Sequence, residues 1–183
     1  MHPSGVNIVS LAFAQDELVR RAGSGDSEAL AALYRAHEAG IYTLARRLCR
    51  SDAEAQDVLQ ETFLEAARSL SRYRGDGPVA GWLKRICATK AWMRHRRERW
   101  YQEADVEEPV APLPLDARLD LEPALSRLPA PTRAVVWLHD VEGCTHAEIA
   151  QVMGQSESFS KSQLARAHAR LRAWLRPDEG GAP

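Results

Sequence analysis

The sequence predicts an all-α fold: two small helical domains joined by a flexible, acidic, proline-containing linker, with a helix-turn-helix in the C-terminal domain. Three observations lead there. Apolar residues recur at three- and four-residue steps, as in Leu30, Leu33, Tyr34, His37, Ile41, Leu44 and Leu48, and no segment alternates as a half-buried strand does. Between Tyr101 and Asp120 the helical period stops, and Pro109, Pro112 and Pro114 stand among acidic residues. Further on, a short turn at Gly154 separates two amphipathic stretches.

Residues 1–14 carry no clear period and are expected to be disordered, as chain ends commonly are. A first domain then spans 15–100, a linker 101–120, a second domain 121–176 and a tail 177–183. Asp16 starts a short helix through Arg21, broken by Gly23-Ser24-Gly25-Asp26 ahead of the long core helix of Leu30 to Leu48. Ser51 or Asp52 caps the next helix, where Val58, Leu59, Thr62, Phe63, Ala66 and Leu70 face inward and Asp57, Gln60, Glu61 and Glu65 outward. Such an acidic face either keeps a surface solvated or docks a basic or polar partner helix. Two glycines and a proline make Tyr73 to Pro78 a loop. The helix after it buries Val79, Trp82, Leu83, Ile86 and Met93 and ends in Arg94-His-Arg-Arg-Glu-Arg-Trp-Tyr101. Cations interleaved with Trp92, Trp100 and Tyr101 suit a nucleic-acid strand, because they neutralise phosphate while aromatic faces accept unstacked bases.

In the second domain, Leu121 to Leu128 forms a helix, Pro129 and Pro131 punctuate it, and Thr132 caps another containing Val135, Val136 and Leu138. Thr145 and Glu148 have the spacing of a capping box ahead of Ile149, Val152 and Met153. Gly154 ends that helix, and Ser156 caps one built on Leu164, Ala167, Leu171 and Trp174, leaving Lys161, Ser162, Gln163, Arg166 and Arg170 off the core. The pair is either an ordinary helical hairpin or a DNA reader.

The net charge of −1 over 183 residues hides a segregation. Basic residues dominate Lys84 to Arg99 and acidic ones Tyr101 to Glu122, giving one polyanion-facing surface and one solvated spacer. No window reaches the roughly 18 apolar residues of a membrane span, and Val6 to Ala14 lacks the features of a secretory signal, so a cytoplasmic location without membrane insertion is expected. Cys49, Cys87 and Cys144 have no paired spacing and are read as reduced. His139, Cys144 and His146 lack the spacing of a structural metal site, and no phosphate-cradling, nucleophile-elbow or HExxH motif occurs. Neither a cofactor, a metal nor an enzymatic activity is expected.

Four stretches, in order and separation, resemble bacterial sigma factors of the extracytoplasmic function (ECF) group, which keep only regions two and four. They are Asp16-Glu-Leu-Val-Arg-Arg-Ala22 with Gly25-Asp26, Asp57-Val-Leu-Gln-Glu-Thr-Phe63, Trp82-Leu-Lys-Arg-Ile-Cys-Ala88, and the helix-turn-helix from Glu142 to Leu175. The resemblance implies an initiation factor that binds core RNA polymerase, reads promoter −10 and −35 elements and answers to an anti-sigma factor. It implies that Asp57, Gln60, Glu61 and Phe63 meet the clamp helices of the β′ subunit. The −10 strand would fall to Tyr73, Arg74, Gly75, Asp76, Trp82, Lys84, Arg85, Thr89, Lys90, Arg94 and Arg97. The −35 duplex would fall to Ser158, Phe159, Lys161, Ser162, Ala165, Arg166 and Arg170. Relatives often have Gly-Thr at Ser158-Phe159 and Asn at Thr89, so Phe159 either touches a thymine methyl or packs inward. A stand-alone helix-turn-helix repressor or activator is the alternative.

Overall fold

A computed structural model of the protein describes residues 8–75, 77–101 and 121–175, and the regular structure of these residues is entirely helical. Those up to Lys90, apart from Arg47–Cys49, form one compact unit; Arg47–Cys49 and those from Ala91 onward form a second.

In the first unit, α1 runs Ile8–Gly23, two turns earlier than the sequence reading places it. Ile8, Leu11 and Ala12 precede Val19 and Ala22 at helical spacing, a period that Gln15 interrupts. Gln15 Nε2 lies 3.3 Å from His37 Nε2 on the next helix. Asp26 opens α2 (Ser27–Leu48), its carboxylate accepting the backbone N–H groups of Glu28 and Ala29 at 3.0 and 3.1 Å. Ala29, Leu33, Ile41, Leu44 and Ala45 are the buried positions of α2, and Tyr34 lies at its rim. Ser51 caps α3 (Asp52–Ser69) by accepting from the Glu54 N–H, and a 3-10 turn over Leu70–Arg72 leads into the loop. The long helix α4 spans Val79–Tyr101. At 1.5 Å per residue it is about 35 Å long, more than a small domain needs, and its later residues belong to the second unit. Leu33, Ile41, Val58, Leu83 and Cys87 are fully buried in the first unit, each fully buried aliphatic side chain contributing about 2 kcal/mol.

The phase of α4 differs from expectation. Trp92 is buried and Met93 is 59% exposed, because Cys87, Ala88 and Ala91 carry the inner stripe that Ile86 and Met93 were expected to extend. A shift of one residue turns a helix by about 100°, enough to exchange core for solvent.

The second unit is built around α8 (Glu157–Leu175), against which α5 (Leu121–Ser126), α6 (Ala130–Val136) and α7 (His146–Met153) pack. Thr145 and Glu148 form the expected capping box on α7, and Gly154 closes that helix at φ 61°, a left-handed conformation natural to glycine. Ser156 caps α8 by accepting the Phe159 N–H at 3.1 Å. Two details depart from the sequence reading. Pro129, not Thr132, precedes the first turn of α6, and Thr132 is buried within that helix. A single π-helical turn, Trp137–Val141, extends α6. The linker residues lie outside the described chain.

Candidate nucleic-acid interface

Beside the loop after α3, a cavity of about 350 Å³ is lined by Arg72, Tyr73, Arg74, Gly77, Pro78, Gly81, Trp82 and Arg85. Gly75 and Gly77 have φ of 76° and 117°, so the chain can reverse between Tyr73 and Pro78, and the Tyr73 hydroxyl donates to the Gly77 carbonyl. The Tyr73 and Trp82 rings stand 5.1 Å apart, tilted by 46°, as one aromatic wall. Three arginines in the lining, Arg72, Arg74 and Arg85, make the cavity attractive to phosphate and to bases with adjacent acceptors. The structure therefore groups four expected residues, Tyr73, Arg74, Trp82 and Arg85, adds Arg72, Gly77, Pro78 and Gly81, and leaves the expected Gly75 out of the lining. Asp76 lies outside the described residues.

The other −10 candidates divide. Lys84 is half-buried, Arg97 is exposed, and Thr89 turns its hydroxyl back onto the Arg85 carbonyl at 2.8 Å. Lys90 Nζ lies 3.1 Å from Glu65 Oε2, a partly screened ion pair. Arg94 is half-buried in the second unit. There the buried Trp92 donates its indole N–H to the Met153 carbonyl at 2.7 Å, which removes it from the exposed aromatics offered to a strand. The side chains of Trp100 and Tyr101 lie outside the described residues.

On α3, Asp57 and Gln60 are exposed, Glu61 is half-buried, and Leu64, 57% exposed, shares their face. Positions 57, 60, 61 and 64 follow the i, i+3, i+4, i+7 pattern, a signal that could have added Leu64 to the expected set. Phe63 is buried instead, its ring 4.6 Å from that of Tyr34. It supports this face from beneath.

On α8, Ser158, Lys161, Ser162, Ala165 and Arg166 are exposed on the side away from Ser160, Leu164, Ala167 and Leu171, while Phe159 and Arg170 are half-buried at its edges. Lys161 and Glu157 form a weak, exposed pair at 3.4 Å. The outer face is thus small, polar and cationic, matching a duplex groove.

Sequence reasoning did not find a polar cluster behind α8. Asp140 in the π-helical turn lies 2.8 Å from His139 Nδ1 through one oxygen and 2.7 Å from His168 Nε2 through the other. Burial alone would raise the Asp140 carboxyl, but the hydrogen bonds from His168 and His139 hold it below its ordinary value. The ring of His139 stacks on that of His146 at 4.6 Å, and His146 Nδ1 lies 3.0 Å from the buried Ser160 hydroxyl. Among the described residues no group of three or more His, Cys, Asp or Glu side chains is placed to hold a metal ion.

His146 titrates below an ordinary histidine, first because of burial, then because of His139 and Lys161, with Glu157 opposing. Its folded form resists a proton that the unfolded chain accepts near pH 6.5, so its contribution to stability is present above that pH and is lost as pH falls through it. Denaturant melts of the wild type should therefore show a loss between about pH 7.5 and pH 5.5 that His146→Gln reduces. Equal losses in both proteins would contradict this.

Residues 33–101 match the family Sigma-70 region 2, and residues 118–171 match Sigma-70, region 4. The chain belongs to the ECF RNA polymerase sigma factors: it is a transcription initiation factor whose partners are core RNA polymerase and promoter DNA. Among its relatives, the ECF RNA polymerase sigma factor SigM of Mycobacterium tuberculosis is 35% identical over 163 residues, covering 87% of this chain and 83% of that protein. The RNA polymerase sigma factor CarQ of Myxococcus xanthus is 30% identical over 165 residues, 86% of this chain and 95% of that protein. Of solved structures, CnrH in complex with the cytosolic domain of CnrY superposes with a TM-score of 0.58 at 26% identity, covering 91% of this chain and 99% of that one. The sigma factor RpoE in complex with the anti-sigma factor NepR from Bartonella quintana gives 0.59 at 25% identity, covering 81% and 98%.

Proposed function

We propose that residues 15–100 act as the region that binds polymerase and opens the −10 element, and residues 121–176 as the region that reads the −35 element, with 101–120 as the linker between them. The observation that carries this reading is the arginine-lined cavity with its Tyr73–Trp82 wall, which suits an extruded base and its flanking phosphates. Extrusion costs a few kcal/mol, and stacking at about 1–3 kcal/mol per base offsets it. The acidic α3 face around Leu64 docks the β′ clamp helices, and the exposed side of α8 enters the major groove, with Arg166 as its guanine reader. The protein works by binding alone, without enzymatic chemistry. No described helix is long and apolar enough to cross a membrane, in keeping with action in the cytoplasm. Solved relatives held by CnrY or by an anti-sigma factor support a similar protein inhibitor here.

The test is runoff transcription by core polymerase loaded with the full chain, on a library randomised over both promoter elements. A shared motif at −10 and −35 among transcribed templates is expected, and failure to bind core or to select any motif would sink the reading. Arg166→Ala should cost about 10-fold or more on the best −35 sequences and relax one base preference. Unchanged preference would remove Arg166 from the groove.

A further inference from the structure

The back of α8 is held by directional polar contacts as well as by apolar packing. The Thr132 hydroxyl of α6, buried, donates to Gln163 Oε1 at 2.6 Å. The Asp140 carboxylate lies 2.7 Å from His168 Nε2, and because a carboxylate only accepts, the imidazole is the donor. At about 100° per residue, Gln163 and His168 fall roughly 70° to either side of the Leu164–Ala167–Leu171 stripe. Apolar attraction is non-directional and tolerates a small roll of a helix better than hydrogen bonds do. Two hydrogen bonds at opposite borders of the buried face resist it, because rolling either way stretches one of them.

From this geometry we infer that Asp140 and Thr132 are positioning residues for −35 readout: they fix the roll of α8, and with it the sequence discrimination of Arg166 and its neighbours. The inference rests on the reading that α8 enters the groove. Attraction to DNA in general survives a small roll, because cation–phosphate contacts carry no sequence information and adapt to small shifts. Base recognition does not, since a bidentate contact needs its fork within about 0.5 Å and 10–20° of alignment. Asp140 and Thr132 themselves need touch no nucleotide.

The experiment loads core polymerase with the full chain, wild type or variant, and transcribes a promoter library randomised only over the −35 element. For Asp140→Ala, total transcript should stay within about twofold while enrichment of the wild type's preferred sequences falls about fivefold. His168→Ala should give the same flattened profile, and the Asp140→Ala/His168→Ala double variant should be no flatter than either, as expected of residues acting through one contact. Thr132→Val, which keeps the side-chain volume, should flatten the profile independently. Unchanged enrichment in Asp140→Ala and Thr132→Val overturns the inference, as does a loss of total transcript and thermal stability in both, which would make the residues merely structural. A wild type that shows no −35 preference fails the groove reading instead, and that result is distinct from either.

Discussion

Asp57→Arg combined with Glu61→Arg should abolish capture of core RNA polymerase while leaving the helical circular dichroism signal unchanged. Both residues sit on the outer face of α3, away from Val58, Thr62 and Phe63, which hold the helix in the core. Reversing two charges replaces attraction to a basic partner helix with repulsion, at a cost of several kcal/mol or a loss of at least about 100-fold in affinity. Wild-type capture should itself weaken as salt is raised. Undiminished capture by the double variant would remove this face from the polymerase contact, and loss of helical signal would make the two residues structural.

Trp82→Ala should lower transcription from a closed duplex promoter by about 10-fold or more, in line with roughly 1–3 kcal/mol of lost base stacking. On a template already unpaired across the −10 element the defect should shrink, because the cost of melting no longer has to be met by capture. Trp82 is half-buried beside the loop and is not among the fully buried core side chains, so the fold should tolerate the change. An equal defect on both templates would place Trp82 outside the melting step. Core binding by the variant, measured in parallel, separates that result from a folding defect.

What the sequence makes legible is local. Thr145, Glu148 and Gly154 announce α7 because a capping box and a left-handed glycine need only neighbours in the chain. The acidic face of α3 is equally local, and the spacing that unites Asp57, Gln60 and Glu61 also contains Leu64. Helix phase is less secure: Trp92 and Met93 are both large and apolar, and their exchange of roles follows from the small residues Cys87, Ala88 and Ala91, which let α4 approach its neighbours on that side. The link from Asp140 to His168, 28 residues apart, and that from Thr132 to Gln163, 31 apart, have no local signature. Nor does the π-helical turn that carries Asp140, because an extra residue in a helical turn is stabilised by tertiary contacts rather than by its own sequence. The cavity is intermediate: its glycines and aromatics are visible in sequence, but the convergence of Arg72 and Arg85 on one cavity needs the fold.

The exposed Leu64 has a second consequence. An uncovered leucine on a helix face is a place where a copy of the same chain could pack, and a parallel meeting of two such faces would set Asp57 and Glu61 of one molecule near those of the other. Like charges at that distance repel, over a range of about 8 Å at physiological ionic strength. In that arrangement the acids would oppose self-association, while the same charge would attract the basic partner helix proposed above. If α3 docks on polymerase as proposed, the acids around Leu64 would favour a partner of opposite charge over a second copy of the same face.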